Sequence, residues 1–206
     1  MNLEKLKQAE EKFLNTYPGG FEHPDMAAIG KKHMMDKRIS QVQEMFAKDQ
    51  FKDAREVVQN MSKMVSRSSM ISLFEKPKFR DYVNTLHNQH ETILAHGLKE
   101  MLHGDQEQGF NMMLDVLIEG KLAKWSLMTV LPVYFSPKKE VYVKPTTTKG
   151  VIQQYDLETL HYKPRPSWEF YKEYRSIIQK MKANVDKRLS PNNAAFTGFL
   201  WMSMES

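Results

Sequence analysis

Residues 122–145 read LAKWSLMTVLPVYFSPKKEVYVKP, and on this stretch turns the choice between an all-helical chain and one that includes a sheet. Elsewhere apolar residues recur at helical spacing; here the period changes. TVLPVYF (129–135) and EVYVKP (140–145) are short runs rich in β-branched and aromatic residues, separated by Ser136, Pro137, Lys138 and Lys139. That pattern predicts a β-hairpin over about 130–144 with a four-residue loop. Pro132 places the first strand at an edge or a bulge, because proline has no amide to donate. A two-stranded hairpin is marginal by itself, so it should lie against helices. The most apolar run, Leu122–Phe135, has 14 residues. A membrane-spanning helix needs about 20, so the run reads as buried core.

Working outward, the flanks are helical. Leu3, Leu6, Phe13 and Leu14 predict a helix over 2–16, stopped by Tyr17–Gly20. A second helical region covers about 24–48, with Met35, Ile39, Val42, Met45 and Phe46 on one face of its later half. The next helix buries Phe51, Ala54, Val57, Val58, Met61 and Val65, and the short link between the two makes them antiparallel. Ser66–Met70 and Pro77 mark a loop. A helix over 81–102 carries Ile93, Leu94, Leu98, Met101 and Leu102. Asp105, with Gln108 three residues on, caps another that buries Phe110, Met113, Leu114, Leu117 and Ile118 and ends near Gly120.

After Pro145 the threonines offer a cap for a short helix reaching Tyr155. Ser167 caps a strongly striped helix bearing Phe170, Tyr174, Ile177, Ile178, Met181, Val185 and Leu189. Ser190 and Pro191 restart a last helix anchored by Phe196, Phe199 and Leu200. MFAKDQFKDAREVV and MLHGDQEQGFNMML echo one another as helical hairpins, but their spacing does not fit a tetratricopeptide array. The fold class is mainly α: a multi-helix bundle of packed helical hairpins with one small β-hairpin. The chain is expected to form a single domain over 1–206, divisible into N-terminal helices (1–68) and a main helical unit with the hairpin (70–206).

Composition narrows the chemistry. In 206 residues there is no Cys, so disulfide scaffolds, thiolate metal sites and Cys nucleophiles are excluded. The stretch Met1–Thr16 is charged and amphipathic, without the apolar run of a secretory signal. A cytoplasmic location without membrane contact is expected. The net charge is +5 and is uneven. Residues 1–120 carry 16 basic and 18 acidic side chains, while 121–190 carry 14 and 6. The cations concentrate at 138–165: Lys138, Lys139, Lys144, Lys149, Lys163 and Arg165, with Tyr142, Tyr155, Tyr162 and Trp168 interleaved. Thr146 and Thr147 add hydroxyl donors. Positive side chains beside stackable rings suit a phosphate backbone and its bases. This makes nucleic-acid binding the alternative function.

The candidate metal ligands are His96, Glu100 and His103, at i, i+4 and i+7 on one helical face. A carboxylate-bridged metal bundle needs a second Glu-x-x-His together with further carboxylates facing inward, and no such complete set is expected here. No nucleophile elbow, HExxH helix or dinucleotide fingerprint occurs. No cofactor is expected, and the enzyme reading has no motif behind it. The leading expectation is a non-enzymatic protein-binding or adaptor module. Its paired helices and 15 Met residues suit a protein partner or self-association.

KWSLMTVLPVYFSPKKEVYVKPTTTKGV, HYKPRPSWEFYKEY and AAFTGFLWM together resemble the C-terminal half of a family of uncharacterised bacterial proteins, with Lys144-Pro145-Thr146 the most specific step. The resemblance covers about 70–202. It implies a shared fold unit without a mechanism, and it carries over no functional residue.

Overall fold

The computed structural model describes residues 1–204. Helices α1 (Leu3–Thr16), α2 (Pro24–His33), α3 (Met35–Met45), α4 (Ala54–Arg67), α5 (Glu75–Thr85), α6 (Asn88–His103) and α7 (Gln106–Glu119) make up the first part. They are followed by α8 (Trp125–Phe135), α9 (Pro145–Gln154), α10 (Trp168–Ala183) and α11 (Asn193–Met202). Among the described residues there is no strand, so the expected hairpin is absent while the helical bundle is present.

The correction has a physical cause. Trp125–Phe135 is helix α8 and is buried on every side from Trp125 to Tyr134. A helix buried all round shows no apolar stripe, so its period cannot be read from the sequence. Its β-branched Thr129, Val130 and Val133 favour strands only weakly, and packing overrides them. Pro132 sits inside the helix. An interior proline costs about 3 kcal/mol, which the burial of its neighbours offsets.

The second half of the supposed hairpin runs without regular structure through the core. Its polar backbone groups are met by side chains rather than by a partner strand. The Val143 amide donates to Thr129 Oγ1 at 3.1 Å and the Val141 amide to Tyr171 Oη at 3.4 Å. Asn193 Nδ2 donates to the Glu140 carbonyl at 2.7 Å. Gln179 Nε2 serves the carbonyls of Lys138 (3.1 Å) and Lys139 (2.9 Å). These bonds satisfy much of the backbone of a segment that has no partner strand, as burial away from water requires.

Other expectations change too: Pro77, read as loop, lies in the first turn of α5, and the predicted helix over 81–102 is divided between α5 and α6 by a break at Leu86 and His87. The region 24–48 is two helices, joined at Met34 in a left-handed conformation (φ 52°). The last helix starts from an Asn192 cap, whose side chain accepts from Ala195 N, and not from Ser190. Helix α9 begins at Pro145 itself and has no side-chain cap, so the threonines lie within it. Asp105 and Ser167 cap α7 and α10 as their sequences predict.

One continuous apolar core includes residues from α1 through α11. Helices α6 and α7 form its tightest hairpin. Gly109 makes the close approach workable: a Cβ there would lie 2.3 Å from Met101 N and 2.5 Å from Gly97 O. Helix α1 closes on the C-terminal part. The Asn2 amide donates to the Tyr155 carbonyl at 2.8 Å, Phe13 meets Phe199 edge-on at 5.3 Å, and the buried Glu10 carboxylate accepts from the Asp186 amide.

Candidate binding surfaces

Glu140 is only 2 % exposed and sits under the surface of α10. Arg175 Nη1 donates to its Oε2 at 2.6 Å, Tyr171 Oη to the same oxygen at 2.7 Å, and Gln106 Nε2 to Oε1 at 2.9 Å. Arg175 also donates to Gln106 Oε1 at 3.0 Å, and its guanidinium lies 5.5 Å from the Trp168 ring and 5.3 Å from that of Tyr171. A buried charge of this kind persists only when paired and fully bonded. Burial pushes the Tyr171 phenol well up, and the Glu140 carboxylate adds to the shift. The phenol therefore stays protonated and donates.

Above this network lies a broad open groove of about 670 Å³, lined by Lys138, Lys139, Lys172, Arg175, Ser176, Gln179, Lys180 and Ala183. The α10 residues among these fall three and four apart, which puts them on one helix face. Lys182 points away from the groove, donating to Asn193 Oδ1 at 2.6 Å and to the Lys138 carbonyl at 3.2 Å. Partial burial, and then the nearby Lys138 charge, lower its pKa.

Of the residues singled out from sequence, the groove holds Lys138 and Lys139. Lys144 lies over the Trp201 ring at 5.6 Å, and Lys149 over Tyr162 at 5.2 Å. Lys163 and Arg165 are exposed in the loop before α10, where the Lys163 carbonyl accepts from Trp125 Nε1 at 2.8 Å. Thr146 is exposed and Thr147 buried. Trp168 is buried against Phe110 and Tyr171, so its ring packs in the core. The groove gains instead Lys172, Lys180 and Arg175, which a reading confined to 138–165 left out.

The histidine face is engaged within the protein. His96 Nε2 lies 3.5 Å from Glu100 Oε1, and Glu100 Oε2 accepts the Asp105 amide at 2.9 Å. His103 Nε2 bonds the Phe46 carbonyl at 2.8 Å, and its ring meets those of Phe51 and Phe135 edge-on. Among the described residues no group of three or more His, Asp or Glu is placed to hold a metal ion. No helix among them is long and apolar enough to cross a membrane.

A second surface was not anticipated. Leu73 is 79 % exposed and Phe74 82 %, side by side before α5. Their loop is held firmly. The Tyr142 hydroxyl donates to the Met70 carbonyl at 2.6 Å, Ser72 Oγ caps the Glu75 amide at 3.2 Å, and Ser126 Oγ donates to both Glu75 oxygens at 3.1 Å. The α2–α3 corner adjoins it, since His33 Nδ1 lies 2.8 Å from Ser69 Oγ and Arg38 Nε donates to the Arg67 carbonyl at 3.2 Å. That corner adds Ile29 and Met34, 42 % and 41 % exposed. The sequence did carry a signal: Leu73 and Phe74 are two large apolar residues just after the Ser66–Met70 cluster that reads as loop.

No family model, curated protein or solved structure matches this chain. The resemblance of residues 70–202 to a bacterial family gains no support from these comparisons.

Proposed function

We propose that this chain is a non-enzymatic protein-binding module, docking through the end that carries Leu73 and Phe74. The exposure of these two adjacent side chains is the observation behind the reading. Burying a Leu or Phe gains about 1.5–3 kcal/mol, and isolated apolar residues at the surface are ordinary. Two in sequence, fixed on a braced loop beside two more, form a patch of the sort that marks interaction sites. The α10 groove is open, unlike the concave cleft with converging titratable groups that catalysis favours.

The test compares the wild-type chain with Leu73→Ser/Phe74→Ser in affinity purification, with circular dichroism to establish equal folding. A protein retained by the wild type and lost by the variant supports the reading. Identical partner sets would show that this end is not the docking surface. We also propose a cytoplasmic location, in keeping with a cysteine-free composition; fractionation of cells producing the chain checks it.

A second reading, binding of a nucleic-acid backbone, is favoured by the α10 groove with its four lysines, Lys138, Lys139, Lys172 and Lys180. Phosphate contacts strengthen as salt falls. Binding to single- and double-stranded DNA and RNA is measured at about 50 and 200 mM salt, and no binding at the lower value ends this reading.

A further inference from the structure

We infer that the partner docking at the Leu73–Phe74 end is an acidic protein surface, an apolar recess framed by Asp and Glu side chains. This rests on the protein-binding reading above and adds the chemistry of the partner. Leu73 and Phe74 stand 79 % and 82 % exposed, while Ile29 and Met34, at 42 % and 41 %, are more sheltered on the adjoining α2–α3 corner. The contacts of His33 with Ser69 and of Arg38 with Arg67 hold corner and loop together.

The charge around this surface is mostly positive. Lys31 and Lys32 lie in the last turn of α2, Arg67 ends α4, and Lys76 and Lys78 fall in the first turn of α5. Glu75, the acid nearest the tip, is turned to Ser126, leaving Asp36 as the exposed acid in the first turn of α3. Among the described residues, Lys31, Lys32, Arg67, Lys76 and Lys78 have no ion pair.

The same charge argues against a second copy of this chain. A two-fold interface sets each patch against itself, which would bring these cations onto their counterparts, and like-charge juxtaposition is costly. An acidic partner meets the rim with opposite charge and the tip with an apolar pocket. Such complementarity acts chiefly on the association rate and its salt dependence, and the buried apolar anchors on residence time.

The experiment places a photo-cross-linking phenylalanine analogue at position 74 of the full chain, irradiates living cells and identifies the adduct. The identified protein is then purified and titrated with wild type, Phe74→Ser and Lys76→Glu/Lys78→Glu at about 50 and 200 mM salt. The expected adduct carries excess Asp and Glu around the cross-linked site. Phe74→Ser should weaken its binding at least tenfold, mainly by faster dissociation. The charge-reversed variant should weaken it at least tenfold at low salt, mainly by slower association. A protein adduct whose affinity ignores both salt and charge reversal overturns the acidic partner and keeps the protein-binding reading. An adduct between two copies of this chain does the same. Adducts to lipid alone, or none, overturn both.

Discussion

Removing the Glu140 carboxylate tests how the 136–144 segment is held. In Glu140→Ala, the Arg175 guanidinium loses its 2.6 Å partner, and Tyr171 Oη and Gln106 Nε2 lose their acceptor oxygens. Arg175 stays held beside the lost carboxylate by Gln106 and by its contacts with the Trp168 and Tyr171 rings. Two unit charges about 4 Å apart interact by about 4 kcal/mol at an effective dielectric near 20. Breaking one side of a buried pair costs about 3–5 kcal/mol. At roughly 2–4 °C per kcal/mol for a chain of this size, Tm should fall by about 10 °C. Urea unfolding followed by circular dichroism reads the loss directly. The double variant Glu140→Leu/Arg175→Leu leaves no unpaired charge and should lie well above the sum of the two single changes. A Glu140→Ala protein within about 1 kcal/mol of wild type would refute the account, as would strict additivity in the cycle.

Three further outcomes follow from the geometry. Gly109→Ala drives a Cβ against Met101 N and Gly97 O, both backbone atoms that cannot swing aside; it should cost about 1–3 kcal/mol in urea unfolding, and a neutral result would mean α6 and α7 are not so closely apposed. Burial holds the phenols of Tyr142, Tyr171 and Tyr174 up, that of Tyr174 to about 12 from an ordinary 10.0. Their stabilising effect is whole below pH 10.0 and is lost as pH rises towards the folded-state values. Phenolate absorbance should therefore grow together with loss of helical circular dichroism, and buried phenols ionising in a still-folded chain would contradict this. Lys172→Glu/Lys180→Glu reverses charge on the exposed face of α10; if the groove holds a nucleic-acid backbone, binding weakens across all sequences and the salt slope flattens, whereas unaltered binding would move the contact elsewhere.

The helices that were legible in the sequence are those with one wet face. α4 shows Val57, Val58, Met61 and Val65 against polar neighbours, and α10 shows Tyr174, Ile178 and Met181. α8 was misread because solvent touches almost none of it, which removes the contrast that periodicity depends on. Its follower, Glu140–Val143, predicted as a strand, is irregular instead. Its acceptors and donors come from α8, α10 and α11, which no local pattern announces. The basic groove was half legible: Lys138 and Lys139 stood out, but Lys172 and Lys180 belong to a helix read for its apolar face. The Leu73 end was hidden by arithmetic. Lys31 and Lys32 are more than thirty residues from Arg67, Lys76 and Lys78, in a stretch, residues 1–120, whose overall charge is slightly negative. Only packing of the α2–α3 corner onto the Ser69 loop gathers them.

The way Val141 and Val143 are held also bears on how the chain folds. A helix closes its amide bonds within four residues, whereas these two amides reach Tyr171, 30 residues on, and Thr129, 14 residues back. Both bonds are made together only when the segment meets α8 and α10 at once, and ordering over such separations is slow. The segment is thus a late keystone. Its amide protons should be protected from deuterium as long as the α8–α10 assembly survives and be released when that assembly opens.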